Sequence, residues 1–151
     1  MTRNLIATLT LSATALIGLV VSEGYSDRAV IPIAGDVPTI GFGSTEGVKL
    51  GDKTDPVRAL ARAHADIQHK ETAVKKCVTA PLYQYEYDAY VDLAYNIGTG
   101  NFCSSTLVKK LNAQDYAGAC KEILRWNRAN GRVVKGLTLR REKEYRQCMK
   151  F

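Results

Sequence analysis

Glu23, Asp36 and Thr39 are the residues whose types and spacing suit chemistry. Glu23 closes an apolar stretch and is followed by Gly24, a plausible helix stop. A carboxyl partly desolvated by Leu19 and Val20, at the negative end of a helix, is expected to hold its proton more tightly than usual. That property belongs to a general acid working near neutral pH. Asp36 falls in the turn Ala34-Gly35-Asp36, where an exposed carboxylate stays ionised. Two carboxyls in unlike surroundings suit cleavage of a glycosidic bond. Asp36 also has a purely structural reading, as a turn residue that bonds its own backbone.

Other chemistries find less support. His64 and His69 are five apart, on different faces of one helix, with no third ligand nearby, so no metal site is expected. No histidine pairs with a serine or cysteine in a nucleophile motif. Gly41-Phe42-Gly43 lacks the third glycine and following helix of a phosphate loop and reads as a loop signal. No cofactor is implied.

The elements that would position these residues follow from patterning. Residues 28–33 and 37–42 are short β-branched runs on either side of the turn, a hairpin signal, with a short third strand at 48–50. Asp55 before Pro56 starts a helix carrying Val57, Leu60, Ala61, His64, Ile67 and Val74 at helical spacing. A second helix carries Tyr83, Tyr87, Tyr90, Ala94 and Ile97 and stops at Gly98. Ser104 caps a short helix through Leu111, and Asp115 caps another that ends at Arg125 and Trp126. A basic last helix runs over 138–149. The fold class is α+β: an N-terminal helix, a small hairpin sheet, then a helical bundle.

The 151-residue chain is one domain in length, with residues 1–22 as a separate N-terminal segment and 23–151 as the body. Asn4 to Ser22 is 19 residues without a charge, but only nine are Leu, Ile or Val and six are Asn, Ser or Thr. The length fits a membrane span and the composition holds it weakly. A cleaved signal peptide, a permanent anchor, and a temporary anchor that later joins the fold all remain open. Helical spacing of Leu5, Leu9, Ala13, Leu16 and Val20 favours the third, because a released helix could bury that stripe. Cys77, Cys103, Cys120 and Cys148 all lie beyond this segment, with no CxxC pair, and read as two disulfides in an oxidising compartment with three possible pairings. The net charge of +6 favours an anionic partner. Nucleic-acid binding has only that charge behind it. Arg125, Arg128, Arg132, Lys135, Arg140 and Arg141 serve an anionic wall polymer equally well, and no nucleic-acid partner is expected.

Glu23-Gly24 followed by Gly35-Asp36-Val37-Pro38-Thr39-Ile40-Gly41-Phe42-Gly43 resembles the phage-type (T4-like) lysozyme family. The likeness continues in order through Tyr87-Asp88-Ala89, Ala94-Tyr95-Asn96-Ile97-Gly98, Gly100-Asn101-Phe102, Ser105-Thr106-Leu107, Arg125-Trp126 and Leu139-Arg140-Arg141 with Glu144. The resemblance implies a lysozyme-like fold and cleavage of peptidoglycan between N-acetylmuramic acid and N-acetylglucosamine. It implies Glu23 as the acid for the leaving oxygen, Thr39 as a holder of the attacking water, and Asp36 as the carboxylate that activates that water or steadies the cationic sugar. Asn96, with Tyr95 beside it, falls where a sugar-contacting amide is implied. It also favours pairing Cys77 with Cys103 and Cys120 with Cys148. The hairpin departs from the family pattern. Where the family places its Asp, nine residues after the Glu, this chain has Pro32, so Asp27 is a second candidate beside Asp36.

The weakly hydrophobic start resembles the signal-anchor-release endolysins. That likeness implies an enzyme held inactive in the host inner membrane and later released to the periplasm as a monomer. The other reading is a secreted peptidoglycan-binding domain on the same fold without catalysis.

Overall fold

The apolar N-terminal segment is helical only in its second half. The computed structural model describes residues 1–150, and its first helix, α1, covers Ala13–Glu23. Residues 4–12 depart from their helical spacing and run extended around a single 3-10 turn, Ile6–Thr8. Their backbone groups have found partners outside the segment. Asn4 and Leu82 exchange N–H···O bonds of 2.8 and 2.9 Å. The Leu11 and Ser12 amides donate to Glu71 Oε1 at 2.7 Å and Asp88 Oδ1 at 3.0 Å. The extended course still buries Ile6 and Leu9. Thr8, Thr10 and Ser12 give such a stretch little intrinsic helical preference to oppose these bonds. Among the described residues no helix is long and apolar enough to cross a membrane.

The chain forms two compact units, Ala13–His69 and Met1–Ser12 with the residues from Lys70 onward. The first holds α1, the strands β1 (Ser26–Val30) and β2 (Thr39–Gly41), and the start of α2 (Pro56–Cys77). β1 and β2 are antiparallel, pairing Ser26 with Gly41 and Val30 with Thr39, and the register slips between those pairs. On its other edge β1 bonds to a further segment, Ala29 N–H to Asp52 O and Asp27 O from Thr54 N–H. The third extended segment is therefore at Lys53, not at 48–50, where only Val48 is buried. α2 starts as Asp55-Pro56 predicts, with Asp55 Oδ1 accepting from Arg58 N–H at 3.0 Å. β2 lies so close to α2 that a Cβ at Gly41 would fall 2.9 Å from Ala59 Cβ.

The second unit is helical. α3 (Gln84–Ile97) is its centre, with Tyr87, Ala89, Tyr90, Val91, Leu93 and Ala94 all 1% exposed or less. Around it stand α4 (Thr99–Cys103), α5 (Thr106–Asn112), α6 (Tyr116–Glu122) and α7 (Lys135–Met149). The cap of α5 is Ser105, one residue after the Ser104 that the sequence suggests; its hydroxyl accepts from Val108 N–H. Ser104 instead sits at the end of α4, a turn of helix that the spacing does not predict, and its hydroxyl donates to Gly100 O. Asp115 caps α6 as expected. A small hairpin, β3 (Arg128–Ala129) with β4 (Arg132–Val133), precedes α7. Its Asn130-Gly131 turn has positive φ at both residues, a conformation these two residue types adopt readily.

Disulfides join Cys77 to Cys103 and Cys120 to Cys148, with Cα–Cα distances of 5.6 and 5.7 Å. The second disulfide joins α6 to α7; one ion pair fastens α7 to α3 and another lies within α7. Arg140 donates to Asp92 Oδ1 at 2.8 Å, and Arg141, fully buried, donates to Glu144 Oε1 at 2.8 Å. Burial pushes the Glu144 carboxyl up to about 8, against the pull of the neighbouring guanidiniums.

Candidate active site

Glu23 is the last residue of α1, half-buried, and Gly24 with positive φ turns the chain directly into β1. The turn that follows β2 passes against its carboxyl. A Cβ placed at Gly43 would lie 3.1 Å from Glu23 Oε2 and 3.6 Å from its Cβ and Cδ. Gly43 also has φ +87°, a conformation that side-chain-bearing residues rarely adopt. Gly43 therefore forms one wall for the carboxyl of Glu23. Tyr25 and Phe42 meet nearby, with ring centroids 5.3 Å apart. In the sequence Gly43 marks only a loop. Its closeness to Glu23 has no local signal other than the glycine itself.

Gly43→Ala is expected to lower turnover about tenfold or more, because the new methyl displaces the carboxyl of Glu23. The same change should cost about 1–2 kcal/mol of stability through the strained φ. Paired turnover and urea-denaturation measurements separate the two effects.

Thr39 opens β2, half-buried, with its hydroxyl 3.3 Å from Val37 O. Asp36 is exposed at the hairpin turn and engages its own backbone. Its amide donates to Ile33 O, and its Oδ1 accepts from Val37 N–H at 2.9 Å. Asp27, the other candidate, is exposed on β1. Glu23, Asp27, Asp36 and Thr39 all belong to the unit Ala13–His69.

Asn96 and Tyr95 belong to the helical unit, on the last turn of α3 before Gly98. Asn96 is exposed, and Tyr95 is half-buried with Lys70 Nζ 5.4 Å from its ring centroid. The same unit contains an open cavity of about 390 Å³ lined by Asn101, Ser104, Ser105, Thr106, Leu107, Glu122, Arg125 and Trp126. Lys110 donates to Glu122 at 2.6 Å and Arg125 at 3.2 Å, and the Lys110 bond foremost holds the Glu122 carboxyl below its ordinary range. The cavity lining thus combines hydroxyls, an ion pair and the aromatic residue Trp126.

A carboxyl-tipped helix laid on a short hairpin, followed by a helical unit, is the plan of the lysozyme-type glycosidases. The phage lysozyme family model matches residues 21–144, and the chain belongs to that family. It is 39% identical over 142 residues to the SAR-endolysin of Pseudomonas phage phiKMV, an alignment that covers 91% of this chain and 87% of that protein. It is 46% identical over 128 residues to the SAR-endolysin of Bacteriophage PS119, covering 84% and 76%. The endolysin from Escherichia coli O157:H7 phage FAHEc1 superposes with a TM-score of 0.82 at 29% identity, covering 98% of this chain and 96% of that one.

Proposed function

We propose that this phage lysozyme is an endolysin that hydrolyses the β-1,4 bond between N-acetylmuramic acid and N-acetylglucosamine in peptidoglycan. The observation that carries the proposal is the Glu23 carboxyl at the end of α1, lodged against Gly43 just beyond the Thr39–Gly41 strand. Glu23 protonates the departing glycosidic oxygen. Asp36 activates a water on the opposite face of the sugar, and Thr39 helps to hold it. Asn96 and Tyr95 contact the glycan. Asp27 is the alternative second carboxylate, favoured by the bond that ties Asp36 Oδ1 to Val37 N–H.

The enzyme is first held inactive in the inner membrane of its host by residues 1–22, then released to the periplasm as a monomer. The outer face of α1 supports this part. Ile17 and Val21 are 62% and 74% exposed, and Leu5 ahead of the helix is 70% exposed, so most of each apolar side chain lies outside the packed interior. A bilayer is the environment in which they are at home.

Mass analysis of digested murein sacculi tests the reaction. Hydrolysis yields fragments with reducing N-acetylmuramic acid ends. Anhydro ends would remove the water-activating roles, and intact sacculi would favour a wall-binding domain without catalysis. Comparing Asp36→Asn with Asp27→Asn identifies the second carboxylate as the one whose loss lowers turnover more.

A further inference from the structure

Residues 1–12 are bound to the helical unit by contacts that a trailing chain end does not make. Arg3 Nε and Nη2 donate to Glu86 Oε2 and Oε1 at 3.1 and 2.8 Å, a two-pronged pair of the strong kind. The same guanidinium lies 3.5 Å from the Tyr116 ring centroid and 4.4 Å from that of Tyr83. The Tyr83 hydroxyl donates to the Met1 carbonyl at 3.1 Å. At the other end of the segment, Leu11 and Ser12 satisfy Glu71 and Asp88, and the Ser12 hydroxyl adds a 2.7 Å bond to Asp88 Oδ2. Glu71, Glu86 and Asp88 are only 8, 2 and 6% exposed. Three buried carboxylates thus each take a donor from one short segment.

Each also keeps one donor of the helical unit itself, Tyr87 Oη for Glu71, the Tyr83 amide for Glu86 and Gln84 Nε2 for Asp88, but a buried carboxylate held by a single donor is under-satisfied. If residues 4–22 first occupy a bilayer, as proposed above, all three lack these donors until the segment arrives. The positive chain start then lies on the cytoplasmic side. Withdrawal must carry Arg3 through hydrocarbon, an unfavourable passage that runs backwards as readily as forwards.

Resting on that reading, we propose that Glu71, Tyr83, Glu86, Asp88 and Tyr116 form a receptor groove for residues 1–12, and that capture of Arg3 there makes release from the membrane one-way. The groove shifts the balance by its preference for the released segment. It is an interaction surface whose occupant is the chain's own N-terminus.

The test uses the full-length chain in inner-membrane vesicles, with the potential collapsed by a protonophore and the carbonate-extractable fraction followed over time. Glu86→Gln removes the charge but keeps an acceptor for the Tyr83 amide, which Glu86 Oε2 holds at 2.8 Å. Tyr116→Leu removes the ring nearest the guanidinium. The double variant is expected to show a released-to-retained ratio about tenfold lower than the parent. Purified and detergent-free, it should clear murein within about twofold of the parent rate, because neither residue touches the reacting bond. Equal release by parent and variant overturns the latch and leaves the membrane reading standing. A parent that never enters the membrane fraction overturns both. A second readout needs no variant: trypsin should cut after Arg3 far more slowly in the released parent than in the heat-unfolded chain, and equal rates overturn the capture of Arg3.

Discussion

Glu23→Gln is expected to leave the fold intact and to reduce murein clearing about a thousandfold. The amide has nearly the shape of the carboxyl and keeps its hydrogen-bonding reach, so contact with the Gly43 wall survives. What it lacks is a proton to give. A sugar alkoxide is a poor leaving group, and proton donation by a placed side chain contributes about 10²–10⁴ in rate. The residual rate is whatever glycan binding and the second carboxylate supply without an acid. Because Glu23 is half-exposed, loss of its charge should change the urea midpoint little. The decisive measurement is turnover on purified sacculi beside denaturation of the same sample. Parent-like clearing by the variant would remove Glu23 from the mechanism.

Replacing Cys120 and Cys148 by alanine is expected to cost about 4 kcal/mol or more. The bond closes a loop with a sequence separation of 28, which a chain-entropy model values at about 3.6 kcal/mol. Both half-cystines are buried, 1 and 3% exposed, and the Tyr90 hydroxyl lies 3.6 and 3.3 Å from their sulfurs. Their removal leaves an internal gap and takes a partner from that hydroxyl, so the loss exceeds the loop contribution. Cys77–Cys103 closes a loop of similar separation, 26, between half-exposed positions, and its loss should remain near the chain-entropy figure. Urea denaturation of the two double variants should therefore rank them, with the 120–148 pair the more damaging. The opposite order would mean that burial around Tyr90 adds nothing.

What the sequence makes legible here is mostly local. Asp55-Pro56, Asp115 and Gly98 mark helix ends through bonds and backbone angles within one turn, and all three act at those places. Asn130-Gly131 carries an equally local hairpin signal, one that is easily missed among the glycines of its loop. The helical spacing of residues 4–12 misleads because the decision lies elsewhere: Leu82, Glu71 and Asp88, some 60 to 80 positions away, claim the backbone. The third extended segment is placed by the same kind of remote pairing, Arg28 with Lys53. At the site, Glu23 is legible because it ends an apolar run next to a glycine. The closeness of Gly43 to its carboxyl is not, since the end of α1 and the turn after β2 must meet before it exists.

The bare outer surface of α1 has an implication for how this helix tolerates change. If the segment first occupies a bilayer, as proposed above, these eleven residues answer to two solvents in succession, and each solvent selects a different set of them. Water and the folded body ask chiefly for Leu19, while Ile17 and Val21 are idle there. A mutational scan scored only on the finished protein would find those two positions free. Under that proposal, polar residues at the two positions would disturb membrane holding while leaving the folded enzyme intact.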